Sequence, residues 1–178
     1  MSSIEPKITE GYMPFLGYQV YYRIVGEKKD NQKKPLLLLH GGPGSTHNYF
    51  EVLDKLSIMD DRQLIMYDQL GCGNSYVEGH PELWTLKTWM DELKEIRKHL
   101  NLNEFHILGQ SWGGMLEIAY ISDENPEGLK SESFLVLYLK VNYGEKNNIE
   151  ELNIYLRKIK MLLKKQKKLE IMILKNIF

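Results

Sequence analysis

The residues best suited to chemistry in this chain are Gly109-Gln-Ser-Trp-Gly113, where the apolar pair Ile107-Leu108 meets a stretch of helix formers. A serine on a sharp strand-to-helix turn is forced into a strained backbone conformation that only small neighbours permit, and Gly109 and Gly113 are those neighbours. The Ser111 oxygen then stands clear of the strand as a candidate nucleophile. A helix starting at Trp112 aims its first backbone N–H, and the positive end of its dipole, at any oxyanion formed above Ser111. Chance occurrence in a glycine-rich loop is the rival explanation of so short a pattern, and a second motif decides between the two.

That motif is Lys34-Pro-Leu-Leu-Leu-Leu-His-Gly-Gly-Pro-Gly44. Four leucines bounded by Pro35 and a glycine-rich turn are the pattern of a strand buried on both faces. At its end Gly41 and Gly42 offer backbone N–H groups that no side chain obstructs, which suits them to the second donor of an oxyanion hole. A phosphate-binding loop is the competing reading, and the Gly-Lys-Ser/Thr ending it requires is absent after Gly44.

Taken with Asp68-Gln-Leu-Gly-Cys-Gly-Asn-Ser75, these two motifs resemble the proline iminopeptidase (prolyl aminopeptidase) family of α/β-hydrolases, over about residues 8 to 131. Gly-x-Ser-x-Gly belongs to the whole superfamily, whereas His-Gly-Gly-Pro-Gly combined with Gly-Gln-Ser-Trp-Gly-Gly is much narrower. The resemblance implies removal of an N-terminal residue, typically proline, from short peptides, with neither metal nor organic cofactor. It also implies that a helical cap, with acidic groups for the substrate's amino end, and later strands bearing an Asp and a His would come after residue 131.

The elements that must position these groups fit one domain. The chain has 178 residues, 43% hydrophobic and 26% charged, an ordinary globular composition. A formal charge of −1 leaves no overall nucleic-acid footprint. One cysteine makes no internal disulfide, and the absence of a signal peptide or an 18-residue apolar run makes the cytoplasm the default compartment. Residues 8–25 mix aromatic and β-branched residues around turn formers, predicting an antiparallel pair at the sheet edge. Gly26 to Lys34 reads as a solvated loop. Ser45 to Lys55 comes next as a first helix, and Leu64-Ile-Met-Tyr67 as the next buried strand.

Asp68 ends that strand. A catalytic acid in this position would precede the serine, against the Ser, Asp/Glu, His order of α/β-hydrolases, so Asp68 reads as a structural acceptor for loop amides. Cys72, between two glycines, reads as a small snug side chain or as a thiol near the pocket whose modification would block substrate, but not as a nucleophile. Between Leu83 and Leu100 the apolar residues Leu86, Trp89, Met90, Leu93, Ile96 and Leu100 recur at helical spacing, which puts Trp89 in the core. Asn103 to Leu108 is the strand feeding Ser111, with His106 alternating away from the buried side. The helix after Ser111 stops before Pro126, and Gly128 to Ser131 enters another strand.

From about residue 132 the composition changes. There is no Gly or Pro after Gly144, and residues 157–178 hold eight Lys or Arg against one Glu. An amphipathic basic helix is one reading, since Leu152, Leu156, Ile159 and Leu163 share a face. We prefer another: read two bases out of frame, with synonymous codons chosen freely, Phe134 to Tyr155 can encode a stretch resembling the family's own continuation beyond this strand. No histidine comes after Ser111, all five (His40, His47, His80, His99 and His106) preceding it, and the only later aspartate is Asp123. A serine hydrolase needs a histidine to take the serine proton and a carboxylate to orient it, so the triad is incomplete in these residues.

We therefore expect an α/β fold, the N-terminal part of an α/β-hydrolase sheet over residues 1–131, with an atypical, frameshifted tail over 132–178. Ser111 is the expected nucleophile, and Gly41, Gly42 and Trp112 are the expected oxyanion donors. The alternatives are another α/β-hydrolase such as an esterase, or a non-catalytic fragment with a membrane-binding tail. Oligomeric state is not legible.

Overall fold

A computed structural model of the protein describes residues 5–27 and 33–135. The tail beyond residue 135, with its frameshift and basic-helix readings, lies outside the described residues. Six strands form one mixed sheet in the order β1-β2-β4-β3-β5-β6. Strand β1 (Ile8–Phe15) and β2 (Tyr18–Val25) make the expected antiparallel hairpin, joined at Leu16-Gly17, where both residues have positive φ. β2 then pairs antiparallel with β4 (Arg62–Tyr67). From β4 inward the pairing is parallel through β3 (Lys33–Leu39), β5 (Phe105–Gln110) and β6 (Leu129–Leu135).

The leucine run explains why β3 is central. Leu37 and Leu39 point to one face and Leu38 to the other, and all three are fully buried. The first face carries the larger core. There Leu37, Leu39, Ile65, Tyr67, Phe105 and Ile107 meet helix α2 (Leu86–His99) and helix α3 (Trp112–Glu124). On α2 the buried residues Trp89, Met90, Leu93 and Ile96 keep the spacing read from the sequence, and Thr85 caps the helix by accepting from the Thr88 amide. Helix α3 ends at Asn125 in the left-handed region, one residue before Pro126.

The opposite face is thinner: Val25, Leu38, Leu64 and Met66 are covered by Phe50 and by Leu53 and Leu56. Here the structure departs from the expected helix over Ser45 to Lys55. The segment is a 3₁₀ helix, His47–Leu53, succeeded by the one-turn α1, Leu56–Met59. Fixed tethers set this geometry. Asp68 accepts from the His47 amide at 2.9 Å, and the buried Arg23 guanidinium grips both carboxylate oxygens of Asp54, at 2.8 and 2.6 Å. Strand ends also run past the sequence limits: β4 starts at Arg62, and β5 continues to Gln110 because Gly109 still pairs with Leu39 and with Phe134.

Candidate active site

At the C-terminal ends of β3, β4 and β5 the three sequence motifs converge. Strand β5 stops at Gln110 and α3 starts at Trp112, so the single residue between them, Ser111, makes the whole turn. It does so at φ 52°, ψ −115°, a conformation costly for a residue with a Cβ. Its two glycines are required by close approach. A Cβ on Gly109 would run into the Gly113 carbonyl, and one on Gly113 would run into the carbonyl oxygens of Leu39 and His40. The start of α3 is thereby pressed against both its own feeding strand and the end of β3.

Helical hydrogen bonding begins with the Gly114 and Met115 amides donating to the Ser111 carbonyl, at 3.0 and 3.2 Å. The Trp112 N–H therefore stands ahead of the first helical bond, as the orphan amides of a helix N-terminus do. The Trp112 indole donates to Gln69 Oε1 at 3.0 Å and meets Trp89 edge-on at 5.1 Å. Gln69 in turn reaches the end of β3. Its side-chain amide donates to the His40 carbonyl at 3.0 Å, and its backbone N–H donates to His40 Nε2 at 2.9 Å. One buried residue thus ties the helix side of Ser111 to the glycine-rich loop.

His40 belongs to this scaffold. With Nε2 accepting from Gln69, Nδ1 carries the proton, and it donates to the Gly41 carbonyl at 2.8 Å. Burial lowers its pKa and outweighs the Gly41 carbonyl, so the ring is neutral. In the adjoining loop, Gly42 has φ 128°, and a side chain there would meet the amides of Gly44 and Ser45. The two loop glycines differ in what their amides do. Gly41 N–H donates to the Tyr49 hydroxyl at 2.7 Å, and that hydroxyl donates to Gln110 Oε1 at 2.9 Å.

Asp68 is the amide acceptor read from the sequence. Oδ1 takes the His47 amide and the His47 ring Nδ1 (2.7 Å), and Oδ2 takes the Asn74 amide at 2.9 Å. Burial alone would raise this carboxyl, yet the His47 ring and the two amides hold it below the ordinary range. Cys72 is the snug side chain expected, buried and free, with desolvation pushing its thiol up to about 11. His106 points away from the core and bonds the Ser131 hydroxyl at 2.7 Å. His80 pairs with Glu82 at the surface, and His99 meets the Tyr22 ring edge-on. No histidine ring among the described residues is hydrogen-bonded to the Ser111 hydroxyl.

Sequence reasoning missed two buried acids on the helices flanking the site. Glu92 of α2 accepts from the Leu70 amide at 2.7 Å through one oxygen. Glu117 of α3 lies beside the Gly109 and Ser133 amides without reaching hydrogen-bond geometry. Burial raises both well above the usual carboxylate range, which favours the protonated acid in each. The signal for Glu92 was present, since it falls on the apolar stripe between Trp89 and Ile96. Among the described residues no group of three or more His, Cys, Asp or Glu is placed to hold a metal ion. No helix among them is long and apolar enough to cross a membrane.

Comparison with known proteins gives the same frame. Residues 34–132 match the sequence model of the alpha/beta hydrolase fold. The chain is 67% identical over 125 residues to a proline iminopeptidase of Clostridioides difficile, and 64% identical over 126 residues to one of Lactobacillus acidophilus. Each alignment takes in 70% of this chain, which spans only 42% of the length of either relative. Among solved structures, a proline iminopeptidase from Mycobacterium smegmatis superposes with a TM-score of 0.60 at 32% identity, over 70% of this chain and 42% of that one.

Proposed function

Because the chain belongs to the alpha/beta hydrolase fold family, we propose that it carries the nucleophile half of a serine aminopeptidase of the proline iminopeptidase type. Ser111 is the nucleophile in this reading, and the Trp112 amide and the Gly41-Gly42 loop are the oxyanion donors. The substrates are short peptides with an N-terminal proline, released in the cytoplasm without a cofactor. Residues 1–131 form the hydrolase part, and 132–178 form an out-of-frame tail that begins within β6.

The carrying observation is Ser111 itself, held at φ 52° between β5 and α3 with a helix N-terminus behind it and the glycine-rich loop of β3 against it. Strain of this kind persists where the surroundings impose it, and it suits a hydroxyl that must be presented. The names of the 67% and 64% identical relatives support the peptide substrate.

Turnover also needs a base. A serine hydroxyl is weakly nucleophilic until a histidine takes its proton, and none of the five histidines of this chain bonds Ser111. The test is to restore the reading frame beyond residue 131 and to assay Pro-p-nitroanilide beside p-nitrophenyl esters. The reading expects p-nitroaniline release that Ser111→Ala abolishes. Ester cleavage without anilide cleavage supports an esterase instead, and neither activity sinks the proposal.

A further inference from the structure

We propose that Tyr49 is a positioning residue for the chemistry at Ser111: its hydroxyl latches the glycine-rich loop to Gln110 and so holds that loop in register with the serine. This rests on the serine reading above and adds a residue to it. The hydroxyl accepts from Gly41 N–H at 2.7 Å and gives its own proton to Gln110 Oε1 at 2.9 Å. Both ends of that relay belong to the site, since Gln110 is joined directly to Ser111 and Gly41 directly to Gly42.

The relay is enforced from three sides. The Gln110 amide oxygen occupies the space a Gly41 side chain would need, so any larger residue there would push the Gln110 side chain out of the relay. Tyr49 sits on the 3₁₀ helix, whose first residue is fixed by Asp68 accepting the His47 amide, and its ring packs on Phe50 at 4.5 Å. The tyrosine is nevertheless 39% exposed, so burial of its ring is not what places the hydroxyl. A phenol has one proton to give, and here it accepts one bond and donates another. Burial also raises the Tyr49 pKa, so the relay survives mild alkali.

The test uses the 178-residue chain with p-nitrophenyl acetate at about pH 9, where hydroxide stands in for the absent histidine. Acetylation of Ser111 is tracked by the nitrophenolate burst and by mass spectrometry, and exchange of the Gly41 amide by NMR. Tyr49→Phe keeps the ring and removes the hydroxyl, and Gln110→Met removes the acceptor. Ser111→Ala is the blank, and Tyr76→Phe, at an exposed tyrosine outside the relay, is the control.

The expected result is a limiting acetylation rate about tenfold lower in Tyr49→Phe and Gln110→Met. Half-saturating ester concentration and melting midpoint stay unchanged, and Gly41 exchange is about tenfold faster, or more, in Tyr49→Phe. Unchanged or faster acetylation in Tyr49→Phe overturns the positioning role, and unchanged Gly41 exchange overturns the latch. If the wild-type chain gains no acetyl group on Ser111, the serine reading itself fails and the proposal falls with it. That outcome is distinguished from the first by the missing label.

Discussion

At the scale of single residues, the site is built from contacts that tolerate no added atom. Gly113 shows this most directly: a methyl group there enters the carbonyl oxygens of Leu39 and His40, which are backbone at the end of the central strand and have nowhere to go. Gly113→Ala should cost on the order of 3 kcal/mol, read as a lower urea midpoint with an unchanged slope. A midpoint equal to the wild type would mean that α3 is free to slide. Asp68 makes a different kind of demand, since it is an acceptor for three N–H groups at once. Asp68→Asn turns one accepting oxygen into a donor and should lose about 1–3 kcal/mol at pH 7. Its folded pKa is depressed, so its contribution is full above the unfolded value near 4 and is lost as pH falls through the folded one. Stability curves of Asp68→Asn and wild type should therefore begin to converge as pH falls below about 4. A gap that stays constant as pH falls would assign the loss to shape, not charge.

At the scale of elements, β5 and α3 act as one unit, and Glu117 lies at their seam. Burial raises its folded pKa, so above about 4.5 the unfolded chain releases a proton that the folded chain keeps, and stability falls as pH rises. Glu117→Gln removes that release. Its melting temperature should lie nearest the wild type's near pH 4 and gain on it as pH rises above about 4.5, and a parallel offset at every pH would refute the buried-acid account. These elements also show what the sequence could and could not convey. Short-range patterns carried β1 to β6, α2 and α3, because strand alternation, helical spacing and a glycine-flanked serine are local. They failed over Ser45 to Lys55, where Arg23–Asp54 and Asp68–His47 bind residues distant in sequence and impose a 3₁₀ turn. The same limit hid the Tyr49–Gly41–Gln110 relay and the link from Gln69 to Trp112. Each joins residues far apart in the chain, through side chains whose type alone signals nothing.

At the scale of the whole molecule, the question is what Ser111 achieves with no histidine of this chain bonded to it. Three of the chain's histidines are committed within its scaffold: His40 is a neutral strut under the loop, His47 is clamped by Asp68, and His106 bonds the Ser131 hydroxyl. His80 and His99 pair with Glu82 and Tyr22 instead. Losing the histidine of a serine triad costs about a million-fold in subtilisin, and oxyanion stabilisation with binding leaves roughly 10³–10⁴ over water. The 178-residue polypeptide should therefore hydrolyse Pro-p-nitroanilide at least several orders of magnitude more slowly than a proline iminopeptidase of full length, and most of any residual rate should vanish in Ser111→Ala. The comparison is made at equal folded concentration, with the C. difficile relative as the reference. Turnover comparable to that enzyme, abolished by Ser111→Ala and by replacing one of the five histidines, would show that an upstream ring leaves its partner to serve as base. His47 would be the first to replace, because it alone already has the buried carboxylate that orients a general base.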